Sequence, residues 1–227
     1  MKLLVLGAAG QIGHELCRRV WPADYRIAGV DRAEVDITRQ EAVADALRQE
    51  RPDIVINAAA YTAVDRAESE PDVAWAVNAA GPGHLAVGCE TAGIPLVHIS
   101  TDYVFDGRKE APYREDDPVD PLGVYGRSKE AGDRAVRKGL PEHVIVRTAW
   151  VYSAQGHNFV RTMLRLAADR PVLRVVADQI GSPTSAADAA AAIATIVQRL
   201  AAGDRNWGTY NFASRRGQLA RLCRGDL

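Results

Sequence analysis

The sequence predicts an α/β fold: a Rossmann-type doubly wound parallel sheet with a small C-terminal substrate-binding lobe. Three observations predict it. A glycine-rich turn directly follows the first apolar run. Short apolar runs alternate with amphipathic stretches at the spacing of βαβ units. The runs are continuously apolar, so they suit strands buried on both faces by helices.

Each element follows from its own residues. Residues 2–6 (KLLVL) form a first strand, and residues 11–20 a helix after the glycine turn. Residues 26–30 form a second strand. Thr38 is placed to cap a helix over residues 39–50, with Glu41 three positions on completing a capping box. Residues 53–56 form a third strand, and 71–92 a long helix interrupted near Gly81 and Pro82. A fourth strand covers 96–99, a helix 124–138 and a fifth strand 144–146. Beyond Arg147 the rhythm loosens. Residues 159–168 and 186–200 look helical, and 173–176 and 209–212 look like strands. The expected division is a dinucleotide-binding domain over 1–147 and a lobe over 148–227, interleaved with the first.

Composition narrows the function. A formal net charge of −1 gives no pull toward nucleic acid or an anionic membrane. No run of 18 apolar residues suggests a membrane span. The opening apolar run is cut short by Gly7, with no small-residue cleavage site after it, so it is not read as a signal peptide. Cys17, Cys89 and Cys223 are far apart and form no CxxC motif, which fits a reducing cytoplasm.

The turn GAAGQIG at 7–13 is a GxxGxxG pattern between a strand and a helix. Gly7, Gly10 and Gly13 permit a tight turn, and the backbone at Gln11 and Ile12 opens a helix whose free N–H groups suit a pyrophosphate. Asp31, after the second strand, is placed for the adenine ribose hydroxyls, and Arg32 beside it for a 2′-phosphate. They point to NADH and NADPH respectively, so the residues leave that choice open. Asp36 and Ile37 are candidates to line the adenine pocket, a solvated loop being the rival reading for Asp36. Ala58, Ala59 and Ala60 are small residues that let the backbone approach the cofactor, a plain helix start being the rival.

Tyr125 and Lys129 form a YxxxK pair, four residues apart and so on one face of a helix. An ammonium ion near a phenol favours the phenolate and lowers its pKa. Tyr125 is then a general acid for a carbonyl oxygen that receives hydride, and Lys129 also suits the nicotinamide ribose. A hydroxyl at the end of the fourth strand can polarise that carbonyl. Thr101 is the expected donor and Ser100 the alternative, since a slip of one residue reverses the face.

These motifs resemble the dTDP-4-dehydrorhamnose reductase family of extended short-chain reductases. The resemblance rests on GAAGQIG at 7–13, NAAAYTAVDRAE at 57–68, STDYVFDG at 100–107, PLGVYGRSKEAGD at 121–133, RTAWVY at 147–152, NFV at 158–160 and DQIGSPT at 178–184. It implies a cytoplasmic enzyme that reduces the 4-keto group of a dTDP-6-deoxy-L-hexose with NADPH or NADH. It implies Thr101, Tyr125 and Lys129 as the catalytic three, with Asp102 and Tyr103 beside them. Trp150 would pack against the sugar, and Asn158, Gln179 and Thr184 would hold the nucleotide-sugar. Core packing is the rival for Trp150 and a helix cap for Asn158. Glu15 matches a position linked to a magnesium site between subunits of a homodimer, with a solvated helix acid as its rival. A non-catalytic NADP-binding protein, resembling the regulatory β subunit of methionine adenosyltransferase, is the competing function. The intact Thr101, Tyr125 and Lys129 weigh against it.

The sequence departs from the family after Phe212. The family continues for several tens of residues and carries a Ser-Trp-x-Gly-Phe-Ala motif, whereas residues 213–227 lack it. A shifted reading frame of one permissible coding of 214–227 contains that motif. The expectation is a truncated lobe that leaves cofactor binding intact and turnover poor.

Overall fold

The computed structural model describes residues 1–170, 172–176 and 178–213, and the backbone of 217–218. The central strands are β1 (Lys2–Leu6), β2 (Arg26–Val30), β3 (Ile54–Asn57), β4 (Leu96–Thr101) and β5 (His143–Thr148). Two short strands follow, β6 (Val151–Tyr152) and β7 (Ile180–Gly181), then β8 (Thr184–Ser185), β9 (Gly208–Asn211) and β10 (Gly217–Gln218). The helices are α1 (Gln11–Arg18), α2 (Gln40–Glu50), α3 (Val64–Ala67), α4 (Pro71–Trp75), α5 (Gly81–Ala92), α6 (Val124–Gly139), α7 (Phe159–Asp169) and α8 (Ala186–Ala201).

Six strands form one sheet in the order β2-β1-β3-β4-β5-β9, all parallel. The chain runs out from β1 to β2 and then returns past β1 to β3. That reversal opens a crevice at the carboxyl ends of β1 and β3, where open α/β sheets bind ligands. Outside the sheet, β6 pairs with β8 and β7 with β10.

The two-residue period of a strand sorts its side chains into two cores. Leu3 and Val5 face α1 and α8, packing with Leu16, Ile193 and Val197. Leu4 and Leu6 face the other way, packing with Val43, Leu47, Leu85 and Val136 from α2, α5 and α6. This two-sided burial explains the unbroken apolar runs. Burying one such side chain stabilises by about 1.5–3 kcal/mol.

Several elements differ from the sequence reading. The 209–212 run belongs to the main sheet as β9, the neighbour of β5, and α8 packs on α1 beneath the same sheet. Residues 173–176 form no strand: with no neighbouring strand, β-branched residues do not make a sheet by themselves, and Val176 stays 52% exposed. Thr38 does not cap α2, because its hydroxyl donates to Asp36 Oδ1 at 2.8 Å and the helix starts at Gln40. The interruption within 71–92 is a π-helical segment, Ala76–Ala80, just before Pro82. Pro82 has no N–H to offer the Asn78 carbonyl, so the turn widens there. Gly132 of α6 abuts that carbonyl so closely that a Cβ would lie 2.0 Å from it. The 214–227 segment singled out in the sequence lies outside the described residues, apart from the backbone of Gly217 and Gln218.

Candidate active site

The glycine turn is built so that side chains cannot enter it. Gly7 has φ +78°, and a Cβ there would lie 2.6 Å from the Ala59 nitrogen. A Cβ on Gly13 would lie 2.1 Å from the Gly7 oxygen. The turn therefore presses against Ala58 and Ala59 at the end of β3, and the Ala58 N–H donates to the Leu6 oxygen at 2.9 Å. Gly10 is the exposed N-cap of α1, no side chain caps the helix, and its first turn carries no acid. Its first N–H groups, Gln11 and Ile12 among them, are thus left for an anion, and the cradle fits a dinucleotide pyrophosphate.

At the second strand, Asp31 Oδ1 accepts from the Ala33 N–H at 2.7 Å, and the Asp31 N–H donates to Glu34 Oε2 at 3.0 Å. The exposed Arg32 guanidinium sits 3.6 Å from Asp36 Oδ2. Partial burial pushes the Asp36 carboxyl up, but hydrogen bonds from Thr38 and the charge of Arg32 outweigh this and hold it below its usual range. Ile37 is only 4% exposed and packs in the core against Gly81, where a Cβ would meet its Cδ1 at 2.7 Å.

Thr101, Tyr125 and Lys129 converge at the carboxyl edge of the sheet. Thr101 ends β4; Tyr125 lies in the first turn of α6 and Lys129 one turn later, both buried. Strand alternation separates the two hydroxyls. Ser100 Oγ is buried beside Asp133 with no hydrogen-bond partner among the described residues, whereas Thr101 neighbours Tyr125. Thr101 Oγ1 also accepts from the Tyr103 N–H at 3.2 Å and faces Asp102 Oδ1 at 3.4 Å. Tyr103 meets Tyr125 edge to face, centroids 5.5 Å apart, and remains 44% exposed, so the site opens to solvent at that ring. Gly126 makes this possible: a Cβ there would lie 2.2 Å from the Tyr103 oxygen.

The electrostatics differ from the expectation. Burial pushes the Tyr125 phenol up to about 12, helped by the charges of Asp102 and Asp133 and opposed by the bond with Thr101. Lys129 does not pull it down. Its Nζ donates to the Ile99 oxygen at 2.8 Å, tying it to β4. Burial brings Lys129 itself down to about 8, against the pull of Asp133. Asp102 is pushed by burial up to about 6. Tyr125 is thus held as a neutral phenol, the form a proton donor requires.

The four residues expected to hold a sugar nucleotide divide. Trp150 adopts φ +43° and lays its ring on Gly181, where a Cβ would lie 2.4 Å from the indole; its carbonyl accepts from the Thr184 N–H at 3.2 Å. Gln179 is exposed just before β7. Asn158 Oδ1 caps α7 through the Arg161 N–H, and its Nδ2 donates to Gln11 Oε1 at 3.0 Å and to the Ser153 oxygen at 2.9 Å. That amide ties the lobe to the glycine turn. Thr184 is wholly buried and its hydroxyl donates to the Ser182 oxygen. Glu15 is half-buried on α1, and among the described residues no group of three or more His, Cys, Asp or Glu is placed to hold a metal ion.

The sequence reading missed a polar cluster beneath the site. Asn57, His98, Asp133 and Arg147 are all at most 4% exposed. Asp133 lies 3.6 Å from His98 Nε2 and 3.5 Å from Arg147 Nε, and Arg147 Nη2 lies 3.8 Å from Glu130 Oε2. One signal was available: Tyr125, Lys129 and Asp133 follow one another at four-residue spacing and so share a helix face.

A parallel sheet carrying a pyrophosphate cradle, with a Thr-Tyr-Lys group across the crevice, defines an extended short-chain dehydrogenase/reductase. The family described as "RmlD substrate binding domain" matches residues 1–222. The chain is 49% identical over 200 residues to the dTDP-4-dehydrorhamnose reductase of Sinorhizobium fredii, covering 88% of this chain and 67% of that one. With the Streptomyces griseus dTDP-4-dehydrorhamnose reductase it shares 47% identity, over 92% and 69%. The crystal structure of the Bacillus anthracis dTDP-4-dehydrorhamnose reductase in complex with NADP superposes with a TM-score of 0.93 at 38% identity, over 99% of this chain and 79% of that one. This chain belongs to the dTDP-4-dehydrorhamnose reductase family, the nucleotide-sugar reductases of dTDP-rhamnose biosynthesis.

Proposed function

We propose that this chain reduces the 4-keto group of dTDP-4-dehydro-6-deoxy-L-mannose with NADPH, giving dTDP-L-rhamnose. The observation that carries the reading is the convergence of Thr101, Tyr125 and Lys129 across the crevice from the Gly7–Gly13 cradle. When bound, the dinucleotide supplies a hydride to the carbonyl carbon. Thr101 Oγ1 hydrogen-bonds the carbonyl oxygen and polarises it. The Tyr125 hydroxyl gives its proton to that oxygen as the alkoxide develops. The Lys129 ammonium holds the nicotinamide ribose. Asp102, beside Thr101, orients that hydroxyl. The solvent-reaching Tyr103, Trp150 and Gln179 are the substrate contacts in this reading, while Asn158 and Thr184 shape the lobe. Among the described residues no helix is long and apolar enough to cross a membrane. A cytoplasmic place of action is part of the reading, because NADPH and nucleotide sugars are pools of that compartment. The test is NADPH oxidation on adding the dTDP-4-keto sugar, with one dTDP-L-rhamnose formed per NADPH consumed. A chain that binds NADPH yet never oxidises it would support a regulatory binding protein instead.

Cofactor choice gives a graded prediction. Arg32 is exposed and, among the described residues, pairs with Asp36, while the Asp31 carboxylate would repel a 2′-phosphate. NADPH should be preferred over NADH by no more than about one or two powers of ten in kcat/KM, or roughly 1.4–2.8 kcal/mol. Asp31→Ala should widen that preference. Weaker NADPH binding in the variant would mean that Asp31 does not face the 2′-phosphate.

A further inference from the structure

The buried cluster beneath the site has a direction, and hydrogen bonding fixes it. The Ala59 N–H donates to Asn57 Oδ1 at 3.1 Å, which settles the orientation of that amide. Asn57 Nδ2 is then the donor in its 3.0 Å contact with His98 Nδ1. A ring nitrogen that accepts carries no proton, so the neutral imidazole bears its hydrogen on Nε2. That Nε2–H faces Asp133 Oδ1 at 3.6 Å. On its other oxygen Asp133 meets Arg147 Nε, and Arg147 also reaches Glu130, which pairs with Arg137 at 2.6 Å. The chain of contacts runs from the backbone next to the cofactor cradle to a carboxylate one helical turn beyond Lys129.

We infer that Asp133 is a positioning residue for the reaction, holding the buried Lys129 as an ammonium ion, and that Arg147 and a tautomer-fixed His98 hold Asp133 in place. An unaided lysine this deeply buried would shed its proton. Lys129 is 2% exposed and its one hydrogen-bond partner among the described residues is a neutral carbonyl, that of Ile99. Asp133, with no exposure at all and one helical turn away, supplies the negative field; burial pushes its own carboxyl up, and the charges of Lys129 and Arg147 pull against that. The other titratable groups facing this cluster are His98 on β4, His143 on β5, Tyr125 on α6 and Asp102 after β4. Burial and the charges of Lys129 and His143 hold His98 well below its ordinary pKa, so it stays neutral. Asp133 opposes the burial that brings Lys129 down to about 8.

The sign follows. Removing the Asp133 charge lowers the pKa of Lys129, so the ammonium form is lost at lower pH. The test rests on the proposed cofactor contact but not on the sugar. NADPH affinity, read by nicotinamide fluorescence from neutral pH to about pH 10, should weaken as Lys129 deprotonates, near 8 in the unaltered chain. Lys129→Met should abolish that limb and so assign it. In Asp133→Asn the limb should move down by about one to three pH units, whereas Asp133→Glu should keep it in place. The same displacement should appear in kcat wherever the sugar is turned over. A chain that binds NADPH with the predicted limb but ignores the sugar would sink the proposed reaction and leave this inference standing. A folded Asp133→Asn with an unmoved limb would overturn the inference. Asp133→Ser repeats the test if the asparagine variant does not fold. If neither neutral variant folds while Asp133→Glu behaves as the unaltered chain, Asp133 serves stability alone and the inference is wrong.

Discussion

Tyr125→Phe should lower kcat by at least about 10²-fold and leave NADPH binding nearly unchanged. The substitution deletes one oxygen from a ring that is 9% exposed and packed edge to face on Tyr103, so the shape of the site survives. What disappears is a neutral phenol, pushed up to about 12, which holds its proton until an alkoxide draws it away. Thr101 cannot replace it, because an aliphatic hydroxyl is a far weaker acid than a phenol. Steady-state rates at saturating sugar, beside a fluorescence titration of NADPH, separate the two effects. Near-normal turnover in the variant would remove Tyr125 from the proton transfer.

Gly13→Ala should be as damaging by a different route. The new methyl would meet the Gly7 oxygen at 2.1 Å, and neither side can give way. Gly7 is held at φ +78° with its own Cα against the Ala58–Ala59 backbone. Overpacking of this kind costs about 1–3 kcal/mol. The upper end corresponds to a fall in Tm of roughly 6–12 °C for a chain of this size. NADPH binding should fall with it, since the displaced turn is the pyrophosphate cradle. Gly10→Ala is the control: its Cβ would meet only the Gly7 oxygen, at 3.2 Å, so the fold should hold. Equal Tm and equal NADPH affinity in Gly13→Ala and the unaltered chain would contradict the described cradle.

Much of this was legible in the sequence because its causes are local. The apolar runs gave five strands of the sheet, since burial on both faces leaves no room for polar alternation. GxxGxxG marked the turn, since few residues besides glycine tolerate a positive φ or a neighbour 2.1 Å from a Cβ. The four-residue spacing of Tyr125 and Lys129 placed them on one face of α6. What the sequence hid depends on contacts between distant segments. Whether residues 209–212 belonged to the sheet depended on the exposed edge of β5, and 173–176 failed as a strand for want of a partner. The cap that Asn158 makes on α7 was a rival reading of the sequence, but the bond from its amide to Gln11, 147 residues away, was not legible there. Lys129 pairs with a carbonyl of β4 rather than with the phenol, and the His98–Asp133–Arg147 cluster exists only where β4, β5 and α6 meet. Polar residues of that kind leave no periodicity to read.

The most direct test of the account follows the hydride. Reduction of dTDP-4-dehydro-6-deoxy-L-mannose with NADPH deuterated at the transferring face of the nicotinamide should give dTDP-L-rhamnose with deuterium at C4 alone, seen by NMR. Deuterium at another carbon, or a sugar recovered unreduced while NADPH remains bound, would contradict the assignment of Thr101, Tyr125 and Lys129 to carbonyl reduction.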